Sequence, residues 1–343
     1  MVSIIFPVYN VAPYLDLSIQ SILDQDFGDI EIIAVNDGST DKSLDILKKY
    51  TNDERIKIIN QSNQGAAKAR LTGLEYASGD YVAFVDSDDT IPRDSISTLF
   101  QYMNKTNADI VIGNYLKYYS SGAVYPNVCP KKGIVDVETY IDLVLSAKVS
   151  WGVWGGLYKR NLFSDIRLCN FRLGEDACLL IQVLVKAHSI ALTDYCVYRY
   201  LQRDNSTVHV KNVSFIADMY NFRVWIIEFL QSHYEQYQNK MLMNLFIVKG
   251  YIACVLLGGK DFLPPLNETN VKTFFSYVKN QLAIWEKAIY FTLPYPHLNK
   301  TISLLLRMIS QIRKWWSVLK FAFTAYYYFF LYGSIYLLVA ILI

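Results

Sequence analysis

Four consecutive residues, Asp86-Ser87-Asp88-Asp89, close the apolar run Tyr81-Val82-Ala83-Phe84-Val85. Carboxylates packed this closely repel one another unless something neutralises them. A Mg2+ or Mn2+ ion shared with a diphosphate is a common solution for hard oxygen ligands. An EF-hand is excluded, because the sixth and twelfth positions counted from Asp86 are Ile91 and Ser97 rather than Gly and Glu. A Walker-type nucleotide site is excluded too, since no G-x-x-x-x-G-K-[ST] occurs. An acidic turn capping the next helix stays open as the competing reading. Asp37, within Val35-Asn36-Asp37-Gly38-Ser39-Thr40, could hydrogen-bond a nucleobase edge or shape a turn. Asn63-Gln64-Gly65-Ala66-Ala67-Lys68-Ala69-Arg70 opens a helix where Gly65 allows close approach. Lys68 and Arg70 could meet phosphate, the carboxylates or solvent. No G-x-G-x-x-G is present, which counts against a dinucleotide oxidoreductase.

These residues need strands to position them. Short apolar runs at 2–6, 30–35, 56–59, 81–85 and 109–113 alternate with helical spacing at 14–23, after Thr40, and at 64–77. Thr40 is the expected cap of its helix. Such alternation predicts βαβ units in an α/β, Rossmann-like, mostly parallel sheet flanked by helices. Ligands of such sheets bind beyond the carboxyl ends of the strands. Tyr9, Asp37 and Asp86–Asp89 all follow strand ends, so they should converge on one edge. Residues 114–210 are less regular and rich in Trp and Tyr, whereas 211–300 read as helical, most clearly at 215–230 and 241–257.

The 343 residues carry 33 Lys+Arg against 31 Asp+Glu, a balance that gives no basic field for nucleic acid. Hydrophobic residues make up 52% and the mean hydropathy is +0.17, which excludes a disordered chain. Five cysteines without a C-x-x-C support neither a disulfide framework nor a zinc knuckle and suit a reducing compartment. The start of the chain lacks the basic and apolar regions of a signal peptide. Phe321–Ile343 runs 23 residues without a charge, roughly 34 Å as a helix at about 1.5 Å per residue. Its Tyr residues and the basic stretch before it predict a tail, 301–343, that lies on or crosses an anionic membrane surface.

Pro7-Val8-Tyr9-Asn10, Asn36-Asp37-Gly38-Ser39-Thr40-Asp41, Asn63-Gln64-Gly65 through Ala69-Arg70, and Phe84-Val85-Asp86-Ser87-Asp88-Asp89 occur in this order. Together they resemble family 2 glycosyltransferases of the GT-A fold, especially bacterial enzymes that build capsular or other surface polysaccharides. The resemblance is strong over 1–113, fair to about 210 and absent beyond. It implies a nucleotide-sugar-binding half at 1–113 and an acceptor-binding half at 114–210, followed by a helical region at 211–300 and the tail.

By the same resemblance, Asp37 reads uracil with Pro7, Val8 and Tyr9 lining the base pocket. Asp86 and its neighbour Ser87 serve the ribose or metal side, Asp88 ligates Mn2+ or Mg2+, and Lys68 and Arg70 join the donor site. Gly174-Glu175-Asp176 resembles the family's E-D element, making Asp176 the catalytic base and Glu175 an acceptor-positioning residue; a helix N-terminus built from acidic residues is the competing reading. Arg203 would neutralise the departing diphosphate and His209 would complete the metal shell. Trp154-Gly155-Gly156-Leu157-Tyr158 departs from the polar Asn-Lys that family members often carry before Leu-Tyr, so the acceptor class does not transfer. The expectation is an inverting, metal-dependent, non-processive transfer from a UDP-sugar to a hydroxyl of a lipid-linked oligosaccharide at the cytoplasmic face of the plasma membrane, with homo-oligomerisation left open. A nucleotidyltransferase would need a basic Gly-rich phosphate loop that Pro7-Val8-Tyr9-Asn10 does not supply. A degenerate membrane scaffold fits poorly with intact Asp37, Asp86, Asp88 and Asp176. A processive synthase would carry a Gln-x-x-Arg-Trp element, which Gln202-Arg203-Asp204-Asn205-Ser206 does not match.

Overall fold

A computed structural model of the chain describes residues 1–119, 121–202, 213–256 and 273. Strand β1 (Val2–Val8) is buried along its whole length, as a strand covered on both faces must be. Helix α1 (Ala12–Leu23) follows, with Pro13 in its first turn and Leu15, Ile19 and Ile22 on its buried face. Next come β2 (Ile30–Asp37), the short α2 (Ser43–Lys48), β3 (Ile56–Gln61) and α3 (Ala66–Tyr76). Then β4 (Tyr81–Phe84), α4 (Ser95–Thr106), β5 (Ile110–Tyr119), β6 (Val124–Asn127), β7 (Gly133–Val135), α5 (Val137–Leu145) and β8 (Gly156–Lys159) follow. A 3-10 turn at Arg160–Phe163, α6 (Glu175–Leu184), β9 (Ile190–Gln202), α7 (Val213–His233) and α8 (Lys240–Leu256) complete the described elements.

The strands form one sheet in the order β3-β2-β1-β4-β8-β5-β9-β7, with β6 paired to β5. β1, β2, β3 and β4 are mutually parallel where they pair. The ends of β1, β2 and β4 therefore open on one edge, as expected. The expectation of a mostly parallel sheet is corrected beyond β4. Four-residue β8 inserts antiparallel between β4 and β5, and β6 and β7 also pair antiparallel, leaving only β5 and β9 parallel in that half. Thr40 does not cap α2; its N–H donates to Asn10 Oδ1 at 2.8 Å, and Asp41 Oδ1 accepts from Ser43 N at 2.9 Å instead.

One face of the sheet packs Val2, Ile4, Phe6, Ile32, Ala83 and Val111 against Leu15, Ile19, Ile22 and Leu99 of α1 and α4. On the other face α3 lies so close to β1 that a Cβ at Gly73 would sit 2.5 Å from Ile5 Cγ2, so only glycine permits this approach. None of the five cysteines forms a disulfide.

Two compact units divide the chain. The first holds the described residues up to Gln202 together with 225–238, where Tyr234 and Tyr237 of α7 donate to Glu138 and Asp142 of α5 at 3.0 and 2.7 Å. The second takes 213–224 and the described residues from 239 onward. In it Phe222 and Phe246 meet edge-on at 6.2 Å, with the buried Arg223 guanidinium 4.5 and 5.2 Å from their ring centres. The two helices expected at 215–230 and 241–257 are these, α7 and α8. Among the described residues no helix is long and apolar enough to cross a membrane. The tail at 301–343 lies outside them.

Candidate active site

The β1, β2 and β4 ends are laced together by their own loops. Asn10, in left-handed conformation at φ +50°, accepts through Oδ1 from Thr40 N, and its own N–H donates to Ser39 Oγ at 3.2 Å. Pro7 and Val8 are buried in the strand, while Tyr9 stands exposed at its end. Asp37 is buried at the end of β2. Its Oδ1 accepts from Gln61 Nε2 at 2.7 Å and Gln64 N at 2.9 Å; its Oδ2 accepts from Gly65 N at 2.8 Å. Gly65 stands at φ +90°, a conformation that turns its N–H onto the carboxylate at little steric cost. Asp37 thus builds the loop that starts α3. Each carboxylate oxygen accepts two hydrogen bonds, so Oδ2 retains one acceptor position.

Arg70 lies one turn into α3 and is 3% exposed. Its Nη2 donates to Asp86 Oδ1 at 2.7 Å and its Nη1 to Asp176 Oδ1 at 2.5 Å. The guanidinium therefore joins two carboxylates that are 24% and 23% exposed. One closes β4, and the other lies in the first turn of α6, behind Gly174 at φ +88°. Arg70 Nε is buried without a hydrogen-bond partner among the described residues. Burial opposes the charge on Arg70, but Asp176, Asp86 and Glu175 outweigh it and hold the proton above its ordinary range. Burial pushes the Asp176 carboxyl up to about 6, against the pull of Arg70. Glu175 rises to about 8 through burial and the neighbouring Asp176 charge. Two adjacent carboxyls thus titrate apart, one suited to accept a proton near neutrality and one retaining its own.

Asp89 does different work. Fully buried, it accepts from Tyr198 Oη at 2.8 Å and Leu201 N at 2.7 Å. Tyr198 Oη in turn accepts from Asp86 N at 3.0 Å, which fixes the turn between Asp86 and Asp89. Burial, then the charges of Asp88 and Asp86, drives the Asp89 carboxyl well above the usual range. Ser87 is buried within this turn, and Asp88 is half-buried.

The structure brings Asp86, Arg70 and Asp176 into one contact chain with Glu175 beside it. Lys68 is not part of it: its ammonium pairs along α3 with Glu75 at 3.4 Å. Arg203 and His209 lie outside the described residues. Among the described residues no cluster of three or more His, Cys, Asp or Glu could hold a metal ion. Asp86 and Asp88 supply hard oxygen donors that suit Mg2+ or Mn2+, but Asp89 is committed to Tyr198 and Leu201. These two carboxylates fit such an ion only where diphosphate and water oxygens complete its shell. Tyr198 and Gln61 are site neighbours that sequence reasoning overlooked, while Gln64 lies within the Asn63-Gln64-Gly65 motif and meets Asp37 through its backbone N–H.

The family model Glycosyl transferase family 2 matches residues 3–141. The chain is 36% identical over 224 residues to glycosyltransferase GlyA of Streptococcus pneumoniae, covering 61% of this chain and 32% of GlyA. It is 31% identical to glycosyltransferase GlyG of the same organism, covering 62% of this chain and 74% of GlyG. The chain thus spans about a third of the one relative and three quarters of the other. Among solved structures, S. aureus TarS 1–349 in complex with UDP-GlcNAc superposes with a TM-score of 0.59 at 20% identity, over 81% of this chain and 80% of that one. That likeness is one of fold, the GT-A arrangement of a mixed sheet flanked by helices. With GlyG matched over most of its length and the family model over 3–141, the chain belongs to the family 2 glycosyltransferases.

Proposed function

We propose that the chain is an inverting, non-processive glycosyltransferase that moves a sugar from a UDP-sugar to a hydroxyl of a saccharide acceptor. The observation that carries this reading is the Arg70 bridge between Asp86 and Asp176, which joins a donor-side carboxylate to a second carboxyl 90 positions later in the chain. UDP-GlcNAc in TarS supports a uridine donor here, and the open acceptor position of Asp37 Oδ2 would accept from a base N–H.

In this reading Asp176 takes the proton of the acceptor hydroxyl as its oxygen attacks the anomeric carbon. The bond from that carbon to the diphosphate oxygen breaks on the opposite face, and UDP leaves with the bonding pair. Glu175, which keeps its proton near neutrality, hydrogen-bonds the acceptor and orients the hydroxyl. Arg70 holds Asp176 in place and favours its ionised form. Asp86 and Asp88 would hold a Mg2+ or Mn2+ ion, whose chemistry is to neutralise charge on the diphosphate. Arg203 and His209 remain assigned to the diphosphate and the metal shell on the resemblance alone.

The product is assigned to a bacterial surface polysaccharide, with the acceptor carried on a lipid and the enzyme held at the cytoplasmic membrane face by residues 301–343. Deleting those residues should move the protein from the membrane to the soluble fraction; unchanged membrane recovery contradicts that assignment. Asp176→Asn tests the chemistry. It should abolish transfer while UDP-sugar binding stays within about twofold, since an amide keeps the shape and loses the base. Loss of binding together with transfer would make Asp176 a donor-site residue.

A further inference from the structure

Cys169 and Cys178 take no part in the chemistry described above, yet the fold sets them side by side next to the turn that carries Asp176. Gln182 of α6 is buried, and its amide grips the backbone of Arg167 on both sides. Its Oε1 accepts from Arg167 N at 2.8 Å, and its Nε2 donates to Arg167 O at 3.0 Å and to Cys178 O at 3.1 Å. From Arg167 the chain runs back to Gly174, where α6 begins, against the direction of the helix. Cys178 lies midway along that path, one turn from Gln182 and on the same face. Cys169 comes two residues after Arg167, about 6.6 Å of extended chain against about 6 Å of helix rise from Gln182 to Cys178. Its Sγ meets that of Cys178 in a side-chain hydrogen bond.

Cys178 is buried and Cys169 half-buried, so an oxidant reaches Cys169 first. The S–H of Cys178 donates to Cys169 and holds that thiol below its ordinary value, against burial. The other four thiols are shifted upward: Cys178 by its bond to Cys169 and by burial, and Cys129, Cys196 and Cys254 by burial. The thiolate is the reactive form, so Cys169 is the preferred nucleophile of the five. A disulfide between the two would close the chain from 169 to 178, a loop that contains Gly174, Glu175 and Asp176. Going from hydrogen-bond contact to the roughly 2.05 Å of a disulfide draws the sulfurs together by more than about 1 Å. Cys178 N donates to Gly174 O at 3.0 Å, so the displacement passes to the turn that presents Asp176 to Arg70.

The geometry points to a thiol-modification site: Cys169 and Cys178 form a disulfide when a peroxide reaches the enzyme, and the closed loop draws Asp176 from its working position. In the first step the Cys169 thiolate attacks one peroxide oxygen, the O–O bond breaks and hydroxide leaves, giving a sulfenic acid. In the second the Cys178 sulfur attacks the Cys169 sulfur. The S–O bond breaks, the Cys178 proton leaves with the hydroxide as water, and the S–S bond forms. One peroxide is thus reduced to two waters while two thiols are oxidised to one disulfide, and a dithiol reverses the change. A reducing compartment admits links of this transient kind. The inference rests on the glycosyltransferase reading for its effect on transfer, and it adds regulation to that site.

The test treats the reduced full chain with hydrogen peroxide, blocks the remaining thiols and maps disulfide-linked peptides by mass spectrometry. UDP release with acceptor, and amide hydrogen exchange over 170–178, are read before oxidation, after it and after a dithiol. Cys169–Cys178 should be the main link, with transfer lowered about tenfold or more and restored by the dithiol, since an ångström of misplacement costs up to about a hundredfold. Cys169→Ser should transfer within about twofold of the parent and resist peroxide. Cys178→Ala should stop at a Cys169 sulfenic acid that dimedone traps; melting curves check that both variants are folded. Links between other cysteines, over-oxidised Cys169 without a link, equal inactivation of Cys169→Ser, or a link that leaves transfer unchanged overturns the site. No UDP release from either form with any acceptor would refute sugar transfer, and a mapped link with altered exchange over 170–178 would leave the switch standing.

Discussion

Replacing Arg70 by Gln removes the guanidinium charge that bridges Asp86 and Asp176. With charge centres about 4 Å apart and an effective dielectric of about 20, the Arg70–Asp176 attraction is about 4 kcal/mol, or roughly 3 pH units on the carboxyl. Asp176 is about a quarter exposed, so solvent screening should leave roughly half of that. The Asp176 carboxyl should then move from about 6 to roughly 7.5. If Asp176 is the base, kcat/KM falls on the acid side of that value. Arg70→Gln should cost about fourfold at pH 7, about fifteenfold at pH 6 and little at pH 9. The assay is the pH profile of UDP formation at subsaturating acceptor for both proteins. Stability has the same sign: a carboxyl raised above its unfolded value favours the folded state at low pH and loses that contribution as pH rises through its folded value. The variant should therefore be about 2 kcal/mol less stable at pH 8 and nearer the parent at pH 5. An acid limb that does not move, in a folded variant, would refute Asp176 as the base under Arg70 control.

Tyr198→Phe should lower stability by about 1–3 kcal/mol, because Asp89 and Asp86 N each lose a buried partner; chemical denaturation reads it, and a cost below about 0.5 kcal/mol would deny the turn its dependence on this hydroxyl. Gly65→Ala forces a side chain into φ +90° and should cost about 1–3 kcal/mol while raising the KM for the UDP-sugar, since the loop on Asp37 shifts with it. An unchanged KM would detach that loop from the donor site. Asp37→Asn should weaken UDP-sugar binding more than acceptor binding, because the amide turns a donor toward Gln64 N or Gly65 N. Equal weakening of both would indicate general loosening of the sheet edge.

Strands β1, β2 and β4 are legible because each is an apolar run buried on a two-faced sheet and each stops at a polar cluster, whereas β3 is a half-exposed edge strand marked only by Ile56, Ile58 and Ile59. Gly156-Leu157-Tyr158-Lys159 is too short a run to announce a strand, and its antiparallel insertion between β4 and β5 is decided by tertiary pairing. Asp86, Asp88 and Asp176 stand out in the sequence as acidic motifs, but the Arg70–Asp176 contact joins residues 106 positions apart and follows from no local spacing. Asp37 shows the opposite limit. Its place at a strand end is legible, whereas its three hydrogen bonds to Gln61, Gln64 and Gly65 depend on the adjacent β3 and on the backbone angle at Gly65. The aromatic wealth of 114–202 is visible in composition. Its order becomes visible only in the β5–β6 and β5–β9 registers.

The most direct test measures UDP release from a panel of UDP-sugars with and without Mn2+, using the full chain in detergent with Asp88→Ala beside it. Slow, metal-dependent release from one UDP-sugar, lost in the variant and accelerated by a saccharide acceptor, is the predicted result. Release that ignores both the metal and Asp88, or uridine nucleotides that neither bind nor turn over with any acceptor, would contradict a UDP-sugar transferase built around these carboxylates.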